Sequence, residues 1–206
     1  MKIIKVLLAA GQSSRFGQCK LTQQFGDTSI VERAVQMLTS VNSEPTYVIS
    51  GAWHNEVHGA LEGISNVKVL CNHQWQKGLG NSIAFATKEL GRTDRALLFV
   101  LADQIALTSD DLKELVSGFT RQPARWCARY KQRFGVPAIF PPEDNDLLRT
   151  LSGAHGAQKL LRDTSAKIHF VSMPRAGLDV DTADDLVNAR RLFAAGLLEP
   201  GGGQCG

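Results

Sequence analysis

The chain has 206 residues, of which 43% are hydrophobic and 21% charged, and a formal charge of +3. That length buries a full core in one domain without staples, and the composition excludes both a disordered and a fibrous chain. Lys and Arg are scattered with no run of like charge, which argues against nucleic acid or a membrane surface as a partner. The apolar start, Met1 to Ala10, is too short to span a bilayer and is followed by no small-residue cleavage site. Cys19, Cys71, Cys127 and Cys205 stand far apart and form no C-x-x-C pair, the pattern of free thiols in a cytoplasmic protein. Residues 1–196 read as a single domain, and 197–206, with Gly201, Gly202 and Gly203, as a disordered tail.

In chain order, Lys2–Ala9 is a near-continuous aliphatic run ending at Gly11, which predicts a strand buried on both faces of a parallel sheet. A polar, glycine-containing loop, Gly11–Asp27, comes next. Ser29, Ile30, Val31 and Glu32 form a capping box, and Val35 and Leu38 continue the apolar face of a helix. Thr46–Ser50 reads as a strand, Trp53–Leu61 as a polar helix, Val67–Leu70 as a strand and Ser82–Leu90 as a helix. Arg95–Ala102 is a further strand, followed by a helix that Thr108 or Ser109 caps. After Arg121 the rhythm changes. Trp126–Tyr130 and Val136–Phe140, with a turn around Arg133–Gly135, predict an antiparallel insertion, before two short helices, a strand at Lys167–Val171 and a helix over Ala183–Phe193. Strands alternating with helices predict an α/β sandwich with a mostly parallel sheet.

Several segments carry residues suited to chemistry. Leu8-Ala9-Ala10-Gly11-Gln12-Ser13-Ser14-Arg15-Phe16-Gly17, with Lys20 close behind, follows the first strand, where open α/β sheets bind ligands. Gly11 and Gly17 allow close approach to an anion, and Arg15 and Lys20 add positive charge suited to a triphosphate. The spacing is neither G-x-G-x-x-G nor G-x-x-x-x-G-K-[ST], so a dinucleotide fold and a P-loop are disfavoured; a surface turn with solvated cations is the alternative. Asp103, in Leu101-Ala102-Asp103-Gln104, ends a strongly apolar strand at the same sheet edge, and carboxylates are the ligands Mg²⁺ prefers; a plain turn residue is its other reading. In Leu178-Asp179-Val180-Asp181-Thr182, Asp181 is either a helix cap or a metal ligand, and the roles are compatible. Gly78-Leu79-Gly80-Asn81-Ser82 either touches a base or ribose or is an ordinary loop. His54 and His58 are four apart on a helix, but Glu56 is not adjacent to His54, so the H-E-x-x-H zinc arrangement is absent.

Taken together, the ordered motifs (loop, glycine-rich segment, Ala-Asp-Gln and Asp-x-Asp-Thr) resemble the MobA-like nucleotidyltransferases, and within them the molybdenum cofactor cytidylyltransferases. The finer likeness lies in Ala9-Ala10-Gly11, Ala102-Asp103-Gln104, Gly135-Val136-Pro137 and Ser152-Gly153-Ala154-His155-Gly156-Ala157. Departures stand at Ile105, Val136 and Gln24, and bear on the acceptor more than on the nucleotide chemistry. The resemblance implies a Rossmann-like, three-layer sandwich of the nucleotide-diphospho-sugar transferase type. It also implies Mg²⁺-dependent transfer of CMP from CTP to a molybdopterin-type cofactor, and a molybdoenzyme as recipient. It assigns Arg15, Lys20 and Asp103 to catalysis and Asp103 and Asp181 to the metal. Gly11, Gln12, Ser13, Ser14, Arg15 and Lys20 would hold the phosphates, while Ala9, Ala10, Gly80 and Ser82 would face the base and ribose. Asp179 is left open as a further metal ligand.

Overall fold

In a computed structural model that describes residues 1–163 and 165–198, β1 (Lys2–Ala9) is buried at every residue after Lys2. Its side chains alternate between two cores: Ile3, Leu7 and Ala9 face one, and Ile4, Val6 and Leu8 the other. Burying each large aliphatic side chain contributes about 1.5–3 kcal/mol, so an unbroken apolar run is what a strand covered on both sides requires. Lys5 is the exception. It is fully buried, and its ammonium donates to Asn42 O at 2.7 Å.

β1 pairs in parallel with β4 (Thr46–Ser50) and β6 (Arg95–Leu101), and β4 with β5 (Val67–Cys71). β8 (Arg133–Phe140) runs antiparallel to β6 and to β7 (Arg125–Tyr130), which pairs in parallel with β9 (Ile168–Ser172). The seven-stranded order is β5-β4-β1-β6-β8-β7-β9, so only β8 opposes the rest. The strands expected as an antiparallel insertion are thus built into the main sheet. A separate pair, β2 (Gln24–Phe25) and β3 (Thr28–Ser29), lies within and just beyond the segment expected to be loop.

Helices α1 (Ile30–Thr39), α2 (His54–Ala60), α4 (Ser109–Arg121) and α6 (Ala183–Ala194) contribute to the core on one face, and α3 (Leu79–Leu90) and α5 (Asn145–Arg149) to that on the other. This is the expected three-layer arrangement. Capping boxes start α1, α4 and α6 at Ser29/Glu32, Thr108/Asp111 and Thr182/Asp185, each cap worth roughly 1 kcal/mol. Leu197 and Leu198, assigned to the tail by sequence, donate their N–H groups to Leu192 O at 2.9 and 3.3 Å, and Leu198 is buried. Residues 199–206, with Gly201 to Gly203 and Cys205, lie outside the described residues.

One turn differs from expectation. The β7–β8 hairpin turns at Lys131 and Gln132, both at positive φ (46° and 58°), while Arg133–Gly135 belongs to β8. A two-residue hairpin turn with positive φ at both central residues is the type I′ form, usually built from Asn or Gly; here Lys131 donates to Gly177 O at 2.6 Å, a long-range anchor with no local sequence signal. Helix α3 also begins earlier than Ser82, because Gly78, at φ 93° and ψ 179°, takes the N-cap in a conformation suited to glycine.

Candidate active site

β1 is flanked by β4 on one side and β6 on the other: the chain runs outward from β1 through β4 to β5 and then crosses back to β6, which parts the loops at the C-terminal ends of β1 and β6. Open α/β sheets bind ligands at such a switch point. A cleft of about 330 Å³ opens there, and Ala9, Ala10, Gly11, Gln12, Ser13, Ser14, Arg15, Lys20, Ser82, Asp103 and Asp181 all line it.

The loop after β1 is held in one shape. Phe16 and Gly17 N–H groups donate to Ser13 O at 2.9 and 3.1 Å, and Trp53 Nε1 donates to Gln12 O at 2.8 Å. Ser13 itself sits at φ 54°, uncommon for a residue with a side chain and frequent at functional sites. Its hydroxyl oxygen is buried and lacks a hydrogen-bond partner. A Cβ built on Gly11 would meet nothing within 4 Å, since that position faces open cleft.

Across the cleft, Lys20 Nζ donates to Asp103 Oδ2 at 2.6 Å and to Val180 O at 2.8 Å, and lies 3.5 Å from Asp181 Oδ1. Arg15 Nη2 donates to the other Asp181 oxygen at 2.9 Å. Thr182, not Asp181, caps α6, leaving the Asp181 carboxylate for the cleft. Asp103 lines the cleft, and its Oδ1 is buried with no hydrogen-bond partner, an acceptor left unsatisfied beside the site. Asp179 is not among the lining residues; desolvation by the surrounding chain, with the charges of Asp103 and Asp181 adding to it, lifts its carboxyl to about 6.

Hard carboxylate oxygens, one of them unpartnered, are a donor set that fits Mg²⁺ or Mn²⁺, which commonly take one or two protein carboxylates together with substrate phosphates. No cluster of three or more His, Cys, Asp or Glu gathers among the described residues. His54 is engaged elsewhere, its Nδ1 lying 2.7 Å from Ser50 Oγ.

Gly80, expected at the base, does not line the cleft. A Cβ there would lie 2.6 Å from Ser152 O, so its missing side chain makes room for the 152–153 backbone. Gly78 serves the same packing, with a Cβ position 2.6 Å from Gly153 C and O, and also lines the cleft with Leu79. Gly153 N–H donates to Lys77 O at 2.9 Å and Gly80 N–H to Gly153 O at 2.8 Å, locking the two segments together. Trp75 and Gln76 are lining residues that sequence reasoning missed. Buried Asn72 holds their loop, donating to Ser82 Oγ at 3.2 Å and accepting from Gln74 N–H at 3.0 Å. A tryptophan in a polar loop just ahead of Gly78-Leu79-Gly80 was the available signal.

The sequence model of the MobA-like NTP transferase domain family matches residues 5–168. Among curated proteins, the bifunctional protein GlmU of Francisella tularensis subsp. novicida is 26% identical over 164 residues, covering 73% of this chain and 36% of its own length. The chain therefore spans about a third of the curated relatives it matches. Among solved structures, Rv0371c of Mycobacterium tuberculosis superposes with a TM-score of 0.81 at 22% identity, covering 93% of this chain and 98% of that one. A manganese complex of the same protein gives 0.77 at 20%, covering 93% and 99%. CMP:2-keto-3-deoxy-manno-octonic acid synthetase complexed with CTP gives 0.77 at 13%, covering 95% and 100%. At these identities the structural likenesses speak for the fold.

Proposed function

The chain belongs to the MobA-like NTP transferase family, and on that premise we propose that it transfers CMP from CTP to the phosphate of a molybdopterin-type molybdenum cofactor, releasing pyrophosphate. One observation carries the transferase chemistry: an amide-bearing loop with Arg15 and Lys20 faces Asp103 across a cleft at the sheet switch point. The cytidylyl and molybdopterin assignments rest on Ala9-Ala10-Gly11 and on the Ser152–Ala157 segment, whose Gly153 bonds to Lys77 O and to the Gly80 N–H behind the Gly78–Leu79 wall of that cleft.

In the reaction, an acceptor phosphate oxygen forms a bond to the α-phosphorus of CTP while the bond to the bridging oxygen breaks and pyrophosphate departs. The acceptor is already ionised, so no proton has to be removed by a side chain. Backbone N–H groups of Gly11 to Ser14 and the Arg15 guanidinium align the triphosphate and meet the charge that develops on the leaving group. Lys20, held at the cleft wall by Asp103 and Val180 O, supplies a second cation close to that charge. Asp103 and Asp181 would hold Mg²⁺, which supplies a Lewis acid for the phosphate oxygens when bound. A molybdoenzyme would take up the product.

The test is pyrophosphate release with Mg²⁺ and CTP, GTP, ATP or UTP in turn, with and without molybdenum-bound molybdopterin. Release with CTP that requires the pterin is expected. Release with GTP moves the assignment to guanylyl transfer. Where these are silent, release on adding a sugar or polyol phosphate moves it to another acceptor. Pterin binding with no release under any of these conditions would make the chain a cofactor carrier.

A further inference from the structure

Gln104 is only 3% exposed, and a buried carboxamide must find partners within the protein. It finds them at a gap in the sheet. The β6–β8 register pairs Leu97 with Phe140, Leu98 with Ile139 and Phe99 with Ala138 and extends no further. Pro137 follows, and proline has no N–H with which to continue a ladder. Beyond that point the Gln104 side chain stands in for the next rung. Its Oε1 accepts from Leu101 N–H at 3.4 Å, and its Nε2 donates to Val136 O at 2.9 Å. Nε2 also donates to Ala176 O at 2.8 Å.

Ala176 opens the segment that returns to the cleft with Asp181, and in that segment Val180 N–H donates to Asp103 O at 3.2 Å. One carboxamide thus ties the end of β6, the diverging part of β8 and the strand of chain leading to Asp181. Asp103 is its immediate neighbour in sequence. We propose that Gln104 is a positioning residue that sets the separation of the Asp103 and Asp181 carboxylates, and through it the affinity of the cleft for a divalent ion. This inference rests on the reading of those two carboxylates as ion ligands. Gln104→Asn keeps the amide but shortens the arm by one methylene, too little to span Val136 O and Ala176 O together; Gln104→Glu keeps the length and removes the donor.

Mn²⁺ alone, titrated against the full chain by electron paramagnetic resonance, gives the readout. Gln104→Asn should weaken Mn²⁺ binding by about 10–100-fold, as loss of an outer-shell partner does, while CTP binding in EDTA, which uses the 11–15 loop, stays unchanged. Parental Mn²⁺ affinity in folded Gln104→Asn overturns the inference, and so does a matching loss of CTP binding in EDTA, which marks general collapse. If Asp103→Asn does not weaken Mn²⁺ binding of the chain, the ion reading of the carboxylates falls and the inference with it. Should Gln104→Asn fail to fold, Gln104→Glu is titrated in its place, with the Mn²⁺-dependent rise in melting temperature as a second measure judged by the same outcomes.

Discussion

Gly11→Ala separates ligand contact from folding at the heart of the cleft. Gly11 is not among the glycines in the left-handed region, and a Cβ there would meet no atom within 4 Å. Replacing such a glycine with alanine narrows the unfolded ensemble and stabilises by about 0.4–1 kcal/mol, a rise of roughly 1–4 °C in melting temperature for a chain of this size. The added methyl projects into the space where a triphosphate would lie against the loop amides. Displacing a reacting group by about 1 Å can lower turnover about 100-fold, and a loss of that order is expected in pyrophosphate release. Gly51→Ala is the contrasting case: its Cβ would fall 2.6 Å from Trp75 Cβ and 2.7 Å from Ala10 O, so it should lose stability first. Melting curves and turnover measured on the same preparations decide the matter. Full turnover in Gly11→Ala, or a melting temperature several degrees below the parent, would refute the reasoning.

Asp103→Asn removes the charge that pairs with Lys20 at the cleft wall, and pyrophosphate release should fall by about 10²–10³, the scale of a lost electrostatic contact at a reacting centre; near-parental release counts against an ion or charge role there. Arg125 is 6% exposed and grips Asp144 with Nε at 2.8 Å and Nη2 at 2.7 Å. Arg125→Ala should therefore cost about 3–5 kcal/mol in urea unfolding by stranding a buried carboxylate, and Arg125→Lys should not restore it because lysine lacks the two-pronged fork. Burial depresses Lys5 from 10.5 to about 8, opposed in part by Glu44. The unfolded chain then holds the Lys5 proton over pH 8 to 10.5 while the folded chain has released it, so this residue's contribution makes stability rise with pH in that window. Below it the full penalty stands, and Lys5→Met should raise stability at pH 7 by about 1–3 kcal/mol. Unfolding of both proteins at pH 7 and pH 9.5 checks this, and an undiminished difference at the higher pH would contradict it.

Much of the fold could be read from residues near one another in the chain. The apolar run of β1, the capping boxes at Ser29, Thr108 and Thr182, and the alternation of strands and helices are each set by neighbours within about four positions, because side-chain periodicity and N-cap bonding act over that range. The loop from Gly11 to Lys20 and the acidic end of β6 could be placed at one edge on the same grounds, since parallel strands bring their C-terminal ends together. Tertiary structure decided the rest. Lys20 meets Asp103 and Asp181 across 83 and 161 residues, and Gln104 reaches Ala176 across 72. Gly80, read locally as a loop glycine for a base, is a glycine because the Ser152 backbone presses on it from another part of the chain. The Lys131–Gln132 turn lacked a glycine or asparagine to announce it and is steadied by Gly177 instead. Local patterns specify which segments form elements and which ends face the same way. Which side chains then share a hydrogen bond depends on strand order and on where strands diverge, and those are settled only when the sheet closes.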